Sequence, residues 1–393
     1  QQTGFAQVAM HELNLSGHLA RISGGFTQDK FRPLHLRYFS YDNSNNNFRI
    51  FLDKGDDKSI EGQQLAESSR QLLSYFLIGV TLPNDAFWVN LRPDSENEII
   101  DEYLGKTDVG RIMLEADLQL KKDTAAFTSP QTVEGKEYWQ KLYQKAGDLF
   151  GSESITIPTI TRPWIVPGEI IIREGGNNAY VYKATLKVLL EQDHLKNSTV
   201  YNFKDERLKV LNEYSSELIR ELIIPKLTKE VNIAKRYAPL RQVYYSLILA
   251  RWFKSKFYGK GGLYASLIDK SDLNNLTSKE NWSKSSYFNA YKKSFEDGEY
   301  NVSEPVYTPF GQSVRRYFSG GMDFGTINAV QLPATMGMLP GTNLKVSSAL
   351  VKDAKLVGYF GGADGDLQDI LPVAPAKLSE ETSVSSSSLT SKM

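Results

Sequence analysis

The sequence predicts an α+β protein in which a central, buried helix is flanked by further helices and by two antiparallel sheet segments. Three observations point there. The stretch Pro239–Phe257 is apolar nearly all round over Val243–Phe253, as expected of a helix with no solvent face. Amphipathic helix periods lie before it, at Thr107–Asp123 and Asp205–Lys235. Short runs of aromatic and β-branched residues, bounded by Pro, Gly and Asn, gather at Leu34–Leu52 and at Ile155–Leu190.

Taken in order, residues 1–33 are small, polar and Gly-bearing and support no element. Leu34–Tyr41 reads as a strand, Asp42–Asn47 as a polar turn and Phe48–Leu52 as the returning strand of a hairpin. Gly and Asp in Lys54–Lys58 break the hairpin, and Leu65, Leu72, Tyr75, Phe76 and Gly79 then recur at a helical period over Leu65–Ile78. Phe87–Leu91, between Pro83 and Pro93, has the length and apolarity of a buried strand. Thr107 or Asp108 can cap a helix running to about Asp123, which places Lys121 and Lys122 in its last turn. A second helix over Val133–Leu149 follows Pro130 and is stopped by Gly151. The runs Ile155–Ile160, Glu169–Arg173 and Tyr180–Leu190, separated by Pro and by the turn Gly175–Asn178, form the second sheet segment.

Within Asp205–Lys235, Leu208, Leu211, Ser215, Leu218 and Leu222 step by three and four, and Pro225 is expected to kink that helix. Pro239 suits the first turn of the central helix. Beyond Gly259–Gly262, a helix is expected over Lys284–Phe295, a loop over Pro333–Gly341 and strands over Leu344–Val351 and Lys355–Phe360. From Leu371 the chain is rich in Pro and Ala and then Ser, the composition of a disordered tail or linker. Residues 34–370 therefore read as one integrated body, with a sub-boundary near 150–204 as the alternative.

Composition narrows function. With 41% apolar and 11% aromatic residues the chain can build a large core. Lys plus Arg and Asp plus Glu are equal at 46 each, so no net field favours nucleic acid. The absence of cysteine removes disulfides, thiolate nucleophiles and iron–sulfur ligation. The longest apolar runs, Leu72–Val80 and Val243–Ala250, are shorter than the roughly 18–20 residues a membrane span needs.

The candidate chemistry is sparse. The histidines His11, His18, His35 and His194 are scattered without an HExxH pattern, and no metal site or cofactor is expected. Ala363–Asp369 carries three aspartates and a glycine but lacks the ligand spacing of a calcium loop. Asp117 lies among apolar positions of its helix, while Arg241 and Gln242 interrupt the apolar central helix. A buried carboxylate needs a cation, so Asp117 is expected to pair with Arg241. A structural ion pair is the favoured reading over an active-site acid with a positioning arginine. Ser319 beside Gly320 and Gly321 reads as a tight turn or bulge, with a strained nucleophile or anion nest as the alternative. Trp164, held between Pro163 and Pro167, and Trp252 are candidates for an aromatic ligand surface, against core packing as the default for Trp. Asn14, Asn197, Asn275, Asn281 and Asn301 each begin an Asn-x-Ser/Thr triplet, a frequent coincidence in so Asn- and Ser-rich a chain.

The phrases FWVNL, TDVGRIMLEADLQLKKD, TRPWIVPGEIIIRE, LRQVYYSLILARWFK and YFSGG resemble an uncharacterised family of large, apparently exported proteins from uncultivated bacteria, over about Leu34–Phe324. The resemblance implies an extracytoplasmic module of a longer polypeptide and assigns no activity or functional residue. The leading expectation is thus a non-enzymatic interaction or structural module with a protein or polysaccharide partner and adjacent domains. A hydrolase using Asp117 or Glu115 with Arg241, or Ser319, is the rival, and a carbohydrate-binding aromatic surface is a third reading.

Overall fold

A computed structural model describes residues 30–42, 47–57, 59–92, 96–153, 155–196, 205–257, 283–296, 306–307, 313–318, 320–333, 356–362 and 371–372. The expectations for residues 1–29, Ser319, Leu344–Val351 and Ala363–Asp369, and for the tail beyond Pro372, lie outside these residues.

The hairpin forms as β1 (His35–Asp42) and β2 (Asn47–Asp53), paired antiparallel. Its aromatic residues Phe39 and Tyr41 turn inward onto Phe253, so strand alternation delivers rings to the core. Helix α1 (Gly62–Thr81) follows, then the two-residue strand β3 (Trp88–Val89). Helix α2 (Asp108–Phe127) begins as expected, with Thr107 Oγ1 accepting from Gly110 N at 3.2 Å, but it runs past Asp123. Lys121 and Lys122 therefore sit in its buried middle and not in a solvated last turn. Helix α3 (Val133–Phe150) ends at Gly151, whose φ of 57° an L side chain would resist.

Strands β4 (Thr156–Thr161), β5 (Pro163–Gly175) and β6 (Asn178–Leu190) complete the second strand cluster. Pro167 stands where the β5–β6 ladder begins to shift register, opposite Leu186, whose carbonyl accepts from Asn232 Nδ2, the kind of irregularity that tolerates a residue without an N–H. After the short α4 (Glu191–Leu195), α5 (Glu206–Leu218) passes through a π-turn at Ile219–Ile223 into α6 (Ile224–Ile233). The disturbance expected at Pro225 takes this form: Ile224 N bonds to Ile219 O, and Pro225 occupies the first turn of α6, where its missing N–H costs nothing.

The central helix is α7 (Ala238–Phe257), buried over most of its surface with Pro239 and Ser255 exposed near its ends. It packs on α1, β1 and β6. At its crossing with α1, a Cβ on Gly79 would stand 2.7 Å from Ala250 Cβ, so glycine sets the helix separation there. Helix α8 (Lys284–Glu296) and strands β7 (Val306–Tyr307), β8 (Ser313–Phe318), β9 (Gly321–Asp323), β10 (Val330–Pro333), β11 (Leu356–Gly362) and β12 (Leu371–Pro372) follow.

The class is α+β, as expected, but pairing within the sheets is mixed. The larger sheet runs β12-β11-β2-β1-β6-β5-β9-β3, with β10 also on β5, and the smaller is β4-β8-β7. The pairs within the two expected segments, β1–β2 and β5–β6, are antiparallel, but later strands add parallel pairs of β9 and β10 with β5 and of β8 with β4, so the segments are not purely antiparallel. The long connections that return the chain from α8 to β5 and β4 make parallel pairing accessible, as a tight hairpin could not. Leu371–Pro372, assigned above to the tail, pairs with β11. One cluster of buried side chains extends from Leu34 to Phe324.

Candidate functional site

The residues singled out by the sequence fall into separate places. Asp117 and Lys121, 0% and 1% exposed, lie one turn apart on α2 and bond directly, Lys121 Nζ to Asp117 Oδ2 at 2.7 Å. Leu91 N donates to the same carboxylate oxygen at 3.0 Å, and Lys121 Nζ reaches Gly320 O at 3.3 Å. Asp117 Oδ1 has no hydrogen-bond partner among the described residues. Burial raises the Asp117 carboxyl and lowers the Lys121 ammonium, and each partner opposes the other's shift. Both glycines of the Ser319 segment are sterically required here. A Cβ on Gly320 would stand 2.0 Å from Pro163 O, at a φ of 130°, and one on Gly321 would stand 2.2 Å from Val89 O.

Asp117 thus has its cation on its own helix, and the expected pair with Arg241 does not form. The physical reason is spacing: four residues along a helix bring a lysine alongside an aspartate without any tertiary constraint. Glu115, the other acid considered with it, pairs with Arg111 Nη1 at 2.9 Å on the protein surface.

The two tryptophans proposed as a ligand surface are also buried. Trp164 is 7% exposed and donates Nε1–H to Glu191 Oε2 at 3.1 Å, and Glu191 in turn holds Arg162 at 2.8 Å. Trp252, 2% exposed, packs edge-on to Phe39 and Phe257 and donates to Glu174 at 2.6 Å. Gln242 donates to Leu34 O at 2.8 Å and ties α7 to the start of β1.

Arg241 has a different setting. It is 7% exposed, and its guanidinium donates to Val231 O at 3.0 Å, Ala234 O at 2.9 Å and Phe31 O at 2.6 Å. The first two carbonyls belong to the C-terminal end of α6, where helix geometry leaves carbonyls without internal partners and the dipole favours a cation. No carboxylate pairs with it among the described residues. Burial lowers its pKa to about 10.

Arg241 also lines a cavity of about 290 Å³ between the start of β1, the end of α6 and the first turns of α7. Tyr245, one turn on from Arg241, and His35 contribute their rings, with centroids 4.3 Å apart. His35 Nδ1 meets Pro33 O at 2.8 Å and Nε2 meets Arg37 Nη1 at 3.2 Å. Because Arg37 can only donate, Nε2 is the acceptor and the proton rests on Nδ1. Burial holds the His35 pKa down to about 4, opposed by Asp53. Burial raises the Tyr245 phenol. Lys30, Arg32 and Asp56 stand at the cavity, with Arg32 N donating to Asp56 Oδ2 at 2.7 Å.

A further polar contact joins His194 Nε2 to Asp323 Oδ2 at 3.1 Å beside the Trp164 ring. Against burial, hydrogen bonds from His194 and Gly325 hold the Asp323 carboxyl below its usual range.

Sequence reasoning found Arg241 but missed Lys30, Arg32 and Tyr245, and it left His35 among scattered histidines. The spacing of Arg241 and Tyr245, one helical turn, was a readable signal that both share a face. Nothing local revealed that residues 30–35 close over that face. Scans against protein-family models, curated proteins and solved structures return no match for this chain.

Proposed function

We propose that the chain is a non-enzymatic interaction module of a larger exported polypeptide, and that it receives a group from its partner in the Arg241–Tyr245 cavity. The observation that carries this reading is the pairing of an open, ring-walled space with a buried guanidinium that has no acidic partner among the described residues. Such a space with a few directional donors is what small-group recognition requires. The carboxylate form of the hydrolase reading needed Asp117 and Arg241 in one cleft, whereas Asp117 is sealed against Lys121, and its Ser319 form lies outside the described residues. The carbohydrate reading draws little support from Trp164 and Trp252, since burial withholds their faces from a sugar.

The test is a fragment screen by ligand-observed NMR, repeated on Ala184→Phe, which fills the cavity from β6. Fragments that bind the natural protein and are lost on filling are the expected result. Binding that survives filling unchanged would place the interaction elsewhere and contradict the reading.

A further inference from the structure

We infer that the Arg241 cavity selects a carboxylate carried on a small apolar body, an inference that rests on the cavity being the binding site. A guanidinium has five N–H donors in a planar fork. Three are committed to the carbonyls of Val231, Ala234 and Phe31, which leaves two for a ligand. The carbonyls hold the fork in place without neutralising it, so the positive charge is oriented and unspent.

The other groups facing the cavity deepen the surplus. Lys30 and Arg32 are cationic, Asp56 accepts from the Arg32 backbone N–H with the Arg32 guanidinium 4.0 Å away, and His35 is neutral in its bonded tautomer. Asp53, behind His35, lies 3.8 Å from the Arg37 guanidinium, so that acid is already matched. Among the described residues, an incoming anion therefore meets cations with a single, occupied carboxylate beside them. Apart from Asn232, whose amide is bonded to Leu186 and Thr228, the rest of the wall, including Tyr245, Pro33, Ile233 and Ala184, is apolar or aromatic. At about 290 Å³ the space lies at the low end of ligand cavities, which run from roughly 300 to 1,000 Å³, and suits one ring or a short aliphatic chain.

Benzoate and benzamide share shape and differ in charge, so calorimetric titration with both isolates the inference. Benzoate is expected to bind at least about tenfold more tightly, the advantage of a charge-assisted over a neutral hydrogen bond. Arg241→Lys should reduce benzoate binding and leave benzamide unchanged; if that variant does not fold, the comparison on the natural protein decides. Equal affinities would overturn the carboxylate inference and leave the cavity as a binding site. Binding by neither probe would overturn the inference and remove the cavity's support as the binding site. N-acetylphenylalanine and its amide extend the series: preference for the acid over benzoate points to a polypeptide C-terminus, and the reverse preference to a free acid.

Discussion

Two buried cations of this protein behave oppositely. Lys121 is matched by Asp117 four residues away on the same helix, and the pair is closed over by β3, β9 and Gly320. Arg241 is held by three carbonyls, has no carboxylate beside it among the described residues, and looks onto open space. A matched charge pair can be sealed, because each ion offsets part of the other's desolvation. A charge stabilised only by neutral dipoles keeps its capacity to attract an anion. The difference separates a structural charge from one available for recognition, although both sit at positions a helical wheel would mark as buried.

The largest effect expected from this contrast comes from breaking the matched pair. Asp117→Ala leaves Lys121 buried and uncompensated and should cost about 3–5 kcal/mol in denaturant unfolding. A loss under about 0.5 kcal/mol, the range of surface sites, would show that the pair is not sealed.

Acidification probes the cavity wall. His35 has a folded pKa of about 4 against an ordinary 6.5, so the unfolded chain binds this proton first. Its contribution to stability is complete above pH 6.5 and is lost as pH falls toward 4, about 3 kcal/mol for 2.5 pKa units at roughly 1.36 kcal/mol each. His35→Gln should flatten the stability profile in that window, measured by urea unfolding at several pH values; an unchanged slope would mean that the imidazole is not held neutral.

Arg241→Gln should cost less than Asp117→Ala, about 1–2 kcal/mol, because it loses bonds to carbonyls that cavity water can reach and leaves no opposite charge stranded. A cost equal to that of Asp117→Ala would erase the distinction between the two sites. The smallest effect calibrates the scale: Thr107→Ala removes the α2 cap and should cost about 1 kcal/mol in thermal unfolding.

Much of the fold was legible because its signals are local. The hairpin, the capped start of α2 and the all-round apolar α7 each follow from a few neighbouring residues. Burial of Asp117 was legible for the same reason. Its partner is not legible there, because the sequence places the end of α2 near Asp123 and Lys121 in a solvated last turn; a helix continuing to Phe127 carries Lys121 into the core at the i+4 position of Asp117. The parallel pairs of β5 with β9 and β10 were not legible, since they join segments separated by whole helices. The cavity escaped for that reason too: Phe31 and Arg241 meet across 210 residues of sequence, and no spacing rule reaches so far.

The most direct measurement of the contrast is calorimetric titration of Asp117→Leu/Lys121→Met, a double replacement that substitutes apolar packing for the matched pair. If the pair is structural and the cavity is the recognition site, this protein discriminates benzoate from benzamide as the natural one does. A folded double variant that has lost the discrimination would contradict the account and place the Asp117–Lys121 pair in the binding machinery.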